Sequence, residues 1–342
     1  MDHAADLGRL LMVAPSWVGD LVMAQPLIAL LRAEAPTRPV DVLAPDWVQG
    51  LVARMPGVDR CLPSPFRHGE LALGERWRLG RSLARSGYSQ AVVLPNSAKS
   101  ALVPWFAGIG RRTGFRGEFR LGLLNDIRPL DPKRTPRLVD RFALLADQPP
   151  ATTPQPSLMS SPAQQAATAR TLALDTSRPI VCLCPGAEYG PAKRWPEEHF
   201  ATVGRELARQ GMAIWILGSA KDEPIARAIA GQIGGPAEIL AGRTTLEQVV
   251  DVLALASLVV SNDSGLMHIT AALDRPQLAL YGSSSPDYTP PLSRRSQIVR
   301  NPVPCSPCFA RQCPLGHFRC LRELAPEKVL ALAASALEDN HE

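Results

Sequence analysis

Ser261-Asn262-Asp263-Ser264-Gly265-Leu266-Met267-His268 follows the apolar run Leu253 to Val260 and precedes Ile269-Thr270-Ala271-Ala272-Leu273. An apolar strand, a small polar turn containing glycine and then a helix start is how α/β proteins aim backbone N–H groups at an anion. Asp263 and Ser264 suit a helix N-cap, and Gly265 lets a ligand approach the backbone. A turn of the same kind, Ser16-Trp17-Val18-Gly19-Asp20-Leu21, lies near the N-terminus. One such turn in each half predicts two sheets facing one cleft.

The surrounding pattern agrees. Arg9 to Ala14, Val40 to Ala44 and Ala91 to Pro95 read as short apolar strands between helical segments. After a polar, proline-rich passage at 147–165 the alternation restarts, with strands at Ile180–Cys184, Ala213–Leu217, Glu238–Leu240, Leu258–Ser261 and Gln277–Tyr281. Apolar strands alternating with helices predict βαβ units and doubly wound parallel sheets. The expected division is residues 1–160, residues 161–325 and a closing amphipathic helix within 326–342. That helix is expected to pack back on the first domain.

Composition narrows the function. At 342 residues with 46% hydrophobic content, two domains with sizeable cores are expected. The formal charge of +5 is modest, and no Lys/Arg block interleaved with aromatics points to nucleic acid. No apolar run is long enough to span a membrane. Met1-Asp2-His3-Ala4-Ala5-Asp6 is acidic and lacks the basic start of a signal peptide, so a cytoplasmic protein with reduced thiols is expected. Neither G-x-G-x-x-G nor G-x-x-x-x-G-K-[ST] occurs, which argues against the usual NAD and P-loop sites.

Several groups could carry chemistry. Asp20, beside Gly19 at a helix start, is kept ionised by the dipole and could take a proton from a sugar hydroxyl; it could equally cap the helix. Lys193 and Arg194 sit in a glycine-containing loop, Pro185 to Pro196, that suits a diphosphate whose charge grows as a sugar departs. A solvated basic loop is the alternative. Ser264 and Gly265 could donate backbone N–H groups to phosphate, with His268 one turn inside; Asp263 suits hydroxyls better than phosphate. Asp222 and Glu223 follow a strand and could take ribose hydroxyls, or cap the next helix. Between Ser97 and Arg141 ten Lys/Arg face four acids, and Lys99, Arg112, Arg116 and Arg120 are candidates for an anionic acceptor or lipid surface. Cys305, Cys308, Cys313 and Cys320 have a spacing compatible with zinc, or form a compact loop; Cys61, Cys182 and Cys184 read as small buried residues.

The chain resembles the ADP-heptose:lipopolysaccharide heptosyltransferases, most closely the heptosyltransferase II branch. The resemblance runs through Ala14 to Pro26, Leu94 to Ala101, Arg112 to Glu118, Cys184 to Pro196, Ser261 to His268 and Cys305 to Cys320, nearly the whole chain. It implies a GT-B fold, two Rossmann-like domains with the active site between them. It implies inverting transfer of L-glycero-D-manno-heptose from ADP-heptose to the first heptose of a Kdo2-lipid A inner core at the cytoplasmic face of the inner membrane. It assigns Asp20 as base and Lys193 as the main phosphate cation. Ser264, Gly265 and His268 hold the diphosphate with Asp263 nearby. The family needs no metal for its chemistry; assistance by a divalent ion stays open. The alternatives are heptosyltransferase I or a later core heptosyltransferase, a non-catalytic nucleotide-sugar-binding protein, and a zinc-dependent interaction module.

Overall fold

The first strand, β1 (Arg9–Val13), is almost wholly buried, as its apolar run requires when both faces are covered. The computed structural model describes residues 8–66 and 69–338. The acidic N-terminal stretch and the last residues of the 326–342 segment lie outside them. The described chain forms two compact units, divided at Pro156/Ser157.

The first unit holds β1, β2 (Val40–Pro45), β3 (Arg60–Ser64), β4 (Tyr88–Val93), β5 (Arg111–Phe115) and β6 (Asp126–Arg128). They form one sheet in the order β3-β2-β1-β4-β5-β6 with every pair parallel. The second holds β7 (Ile180–Cys184), β8 (Ala213–Ile216), β9 (Ala237–Ile239), β10 (Leu258–Asn262), β11 (Gln277–Tyr281) and β12 (Ser296–Arg300). Their order is β12-β11-β10-β7-β8-β9, again all parallel. Counted from each unit's own first strand, both sheets have the doubly wound order. The order reverses between β1 and β4 in one and between β7 and β10 in the other. Such reversal points leave a crevice outside the carboxyl ends of the strands.

The central strands β7, β10 and β11 are buried along their full length. The four sheet edges are β3, β6, β9 and β12, and none is continuously buried. That is why β3, β6 and β12 have no apolar run to betray them, and β5 hides behind two arginines. Local chemistry starts and ends the helices. Ser161 with Gln164, and Thr245 with Gln248, close reciprocal capping boxes. The helix Glu223–Ile233 ends on Gly234 in the left-handed conformation.

One expectation is corrected. The passage 147–165 is not all linker. Leu158 N–H donates to the Ala272 carbonyl, and the Ser160 and Thr168 hydroxyls donate to the two oxygens of buried Asp251, so the chain joins the second unit from Ser157 onward. The final helix, Pro326–Glu338, belongs to the second unit. Its apolar stripe of Val329, Ala333, Ala336 and Leu337 enters the second unit's core and packs on the helix Glu197–Arg209. Residues spaced by three and four share one face, and that face is matched by Phe200, Val203 and Leu207 in the same core.

Candidate active site

In the second unit the reversal point brings the two expected anion-binding segments together. The β10 strand ends at Asn262; Asp263 follows, Ser264 is the N-cap in extended conformation without a side-chain cap bond, and the helix Gly265–Ala272 begins. Its first N–H groups therefore look for partners outside the helix. From the end of β7, the loop Pro185–Pro196 crosses over to meet this turn. Asn262, fully buried, clamps it: Nδ2 donates to the Pro185 carbonyl at 2.7 Å and Oδ1 accepts the Trp195 N–H at 3.1 Å. Trp195 anchors the far end as a core residue, its indole N–H donating to the Leu324 carbonyl.

The clamp places Lys193, on the short 3₁₀ turn Pro191–Lys193, with Nζ 2.6 Å from Asp263 Oδ2. Asp263 is 4% exposed and Lys193 17%, so the pair is shielded from screening but still reachable. His268 completes the group. Burial pushes its imidazole down to about 4; the Asp263 charge opposes this and Lys193 adds to it. At neutral pH His268 is an uncharged donor or acceptor. Lys193 Nζ also lies 5.1 Å from the Tyr189 ring centroid.

Asp222 and Glu223 are turned to local partners. Asp222 Oδ2 accepts the Ser219 N–H at 2.9 Å and hydroxyl at 2.7 Å, closing a capping box. It is packed beneath Gly186, where a Cβ would come 2.6 Å from that oxygen. Glu223 pairs with Arg227 one turn along its helix. Asp222 thus caps its own turn, and Glu223 holds an ion pair with Arg227. The cysteines of the last third, Cys305, Cys308, Cys313 and Cys320, line one pocket with His317, Ser283 and Ala192. Among the described residues no group of three or more His, Cys, Asp or Glu is arranged to hold a metal ion. Cys182 and Cys184 are buried as expected, whereas Cys61 is only half-buried.

In the first unit the corresponding strand ends carry Gly19, Asp20, Lys99 and Arg116. The helix Val18–Glu34 begins inside the quoted turn, so Gly19 and Asp20 lie in its first turn. The dipole there stabilises the Asp20 carboxylate. Lys99 follows β4 and is half-buried; Arg116 follows β5 and is exposed. Among the described residues neither forms an ion pair. The other two expected acceptor cations are committed elsewhere. Arg120 is 2% exposed and donates to the Pro95 carbonyl, Asn96 Oδ1 and the Phe115 carbonyl, tying the loops after β4 and β5 together. Arg112 donates to the Leu123 and Ile109 carbonyls. Arg120 is buried among backbone acceptors and Arg112 is half-buried against two carbonyls, so both have structural partners.

Sequence reasoning gave no role to Asn262, Tyr189, Ser283 or Ser284. The hydroxyls of Ser283 and Ser284, just past β11, are buried without a hydrogen-bond partner. The signal for Asn262 was its place in the quoted turn; its two bonds span 67 and 77 residues, beyond any local pattern.

These sites sit on a fold with close relatives. The model of glycosyltransferase family 9 (heptosyltransferase) matches residues 76–319. The chain belongs to this family. It is 43% identical over 335 residues to lipopolysaccharide heptosyltransferase 2 of Escherichia coli K12, covering 94% of this chain and 96% of that protein. It is 46% identical over 311 residues to lipooligosaccharide heptosyltransferase 2 of Haemophilus influenzae, covering 85% and 88%. The solved structure of E. coli ADP-heptose lps heptosyltransferase II superposes with a TM-score of 0.89 at 40% identity, covering 98% of this chain and all of that one. The fold class is thus GT-B, and the protein is a glycosyltransferase.

Proposed function

We propose that this glycosyltransferase moves L-glycero-D-manno-heptose from ADP-heptose to the first heptose of the lipopolysaccharide inner core, with inversion. The observation that carries this reading is the constellation in the second unit. Lys193 is held 2.6 Å from Asp263 beside an open helix N-terminus and a neutral buried His268, at the carboxyl edge of a doubly wound sheet. Backbone N–H groups of Ser264 and Gly265, Lys193 Nζ and an imidazole N–H suit a diphosphate. The E. coli relative acts with ADP-heptose by name.

In the reaction, the acceptor hydroxyl oxygen attacks the anomeric carbon on the face opposite the diphosphate. The C–O bond to the diphosphate breaks, ADP leaves with the bonding pair, and Asp20 takes the hydroxyl proton. The negative charge that grows on the diphosphate is met by the second unit's donors. Lys99 and Arg116 meet anionic groups of the acceptor. The reading requires Asp20, on the first unit, to reach the anomeric carbon of a donor held by the second.

A lipid-linked acceptor implies work at the cytoplasmic face of the inner membrane. Among the described residues no helix is long and apolar enough to cross a membrane. Support for surface contact comes from the first unit. It has 20 Lys/Arg against 14 Asp/Glu, where the second has 17 against 18. Its helix Leu73–Leu83 exposes Leu73 and Trp77 beside Arg78 and Arg81, a face suited to a headgroup layer of anionic lipid.

The test is ADP release from ADP-heptose with two acceptors, Kdo2-lipid A and its singly heptosylated form. Release only with the heptosylated form is expected. Release with bare Kdo2-lipid A assigns the chain to the first-heptose reaction, and none with either leaves a binding protein. Asp20→Asn should keep donor affinity and lose turnover by about 10²–10⁴-fold; near-normal turnover removes Asp20 as base.

A further inference from the structure

We infer that Arg311, carried on the cysteine-bearing segment 301–318, is a second cation for the donor diphosphate, spaced from Lys193 by the Tyr189 ring. The inference rests on the reading of the second unit as the ADP-sugar site and concerns how that site obtains its charge.

The constellation lacks net positive charge. The Lys193 ammonium is matched by Asp263 at 2.6 Å, and His268 is neutral. Arg194 is drawn toward Asp222, 3.9 Å away. A leaving diphosphate gains charge as the sugar departs, so a site of this kind works better with a cation that no carboxylate has neutralised. Among the described residues Arg311 forms no ion pair. Its guanidinium lies 5.2 Å from the Tyr189 ring centroid, and Lys193 Nζ lies 5.1 Å from the same centroid. Both cations thus lie within cation–π distance of the same ring.

The placement of Arg311 is built by backbone. Its carbonyl accepts the Ala192 N–H at 3.1 Å, one residue before Lys193. Gly190, at φ 152°, lets the two segments touch; a Cβ there would fall 2.4 Å from the Arg311 oxygen. Tyr189 donates its hydroxyl to the Phe309 carbonyl at 2.7 Å, and Phe309 N–H donates to the Ser283 carbonyl at 2.7 Å. Ser306 donates to the Gly282 carbonyl at 2.7 Å. The segment is thus stitched both to the Lys193 turn and to the end of β11. There the buried hydroxyls of Ser283 and Ser284 have no hydrogen-bond partner, an independent sign that polar groups here await a ligand. The four-cysteine loop, which the transfer mechanism does not use, acquires a purpose: it delivers Arg311.

Calorimetric titration of the intact protein with ADP and with AMP tests this, using wild type, Arg311→Gln, Arg311→Lys and Lys193→Ala as the control. Arg311→Gln should weaken ADP about tenfold and AMP much less, while Arg311→Lys keeps most of the ADP affinity. Wild-type ADP affinity in Arg311→Gln overturns the inference, as does an equal loss for ADP and AMP that Arg311→Lys fails to restore, since that is a folding effect. If ADP binds wild type and Lys193→Ala abolishes binding while Arg311→Gln does not alter it, the donor-site reading stands and only this inference falls. If wild type does not bind ADP, both fall.

Discussion

His268 shows how one residue's burial sets its chemistry. Enclosed beside Lys193, its imidazole is pushed from the ordinary 6.5 to about 4 by burial, despite the nearby Asp263 carboxylate. A neutral imidazole donates one ring N–H and accepts at the other nitrogen. The same shift links stability to pH. The unfolded chain takes up the proton near pH 6.5 and the folded chain only near 4, so the stabilisation is full above 6.5 and is lost as pH falls toward 4. Between pH 7 and 5 this amounts to about 1–2 kcal/mol. Urea unfolding followed through buried Trp195 and Trp215 should show a flatter acid limb in His268→Gln than in wild type. Parallel limbs would mean that His268 titrates in the fold as it does in the open chain. Asp41 is the opposite case, at the amino end of β2. Burial would raise its pKa, but Arg9, Arg60 and Tyr88 outweigh this and hold it below the usual carboxylate range. It is a structural ion cluster, at the end of the sheet away from the turn that carries Asp20.

At the scale of elements, the decisive feature is the loop Pro185–Pro196 pinned by Asn262. The loop was legible from its glycines and cations, and the β10 turn from its polar residues after an apolar strand. Their joining was not, because both Asn262 bonds link chain segments far apart in sequence. Asn262→Ala leaves the Pro185 carbonyl and Trp195 N–H buried without partners, each costing about 1–3 kcal/mol. Hydrogen exchange of the Ala192–Trp195 amides should speed up and ADP affinity should fall with it. Unchanged exchange would show that Trp195 packing alone holds the loop. Edge strands mark the other limit of legibility. The β3 strand, Arg60-Cys61-Leu62-Pro63-Ser64, is partly exposed, so its composition resembles a loop. The central strands, buried on both faces, were readable because only apolar residues fit there.

For the whole molecule, the two units share a topology yet differ in surface. The four tryptophans of the first unit, Trp17, Trp47, Trp77 and Trp105, are 42–57% exposed, while Trp195 and Trp215 of the second are 2% and 1%. Net positive charge lies with the same unit that shows the aromatics. Exposed tryptophan beside arginine suits the interface of an anionic bilayer, where the ring sits at headgroup depth and the cation meets phosphate. The intact protein should co-sediment with phosphatidylglycerol vesicles in low salt and less in high salt. Combined Leu73→Ser and Trp77→Ser should reduce partitioning about tenfold. Equal partitioning of wild type and variant would move the contact elsewhere on the protein.

Composition and order along the chain were enough to establish two α/β halves, a polar strand-to-helix turn after β10, a basic loop after β7 and a carboxylate at the first helix start. These are local properties: strand, turn and cap preferences act within a few residues. Availability is different. Lys193 and Asp263 are 70 residues apart in the chain and 2.6 Å apart in space. Arg120 looks like Arg116 in sequence, yet Arg120 is buried on carbonyls and Arg116 faces water. The charge on His268, the commitment of Asp222 to its cap and the docking of the final helix on the second unit follow the same rule. Burial and pairing depend on neighbours that folding brings from distant parts of the chain, and no linear spacing encodes them.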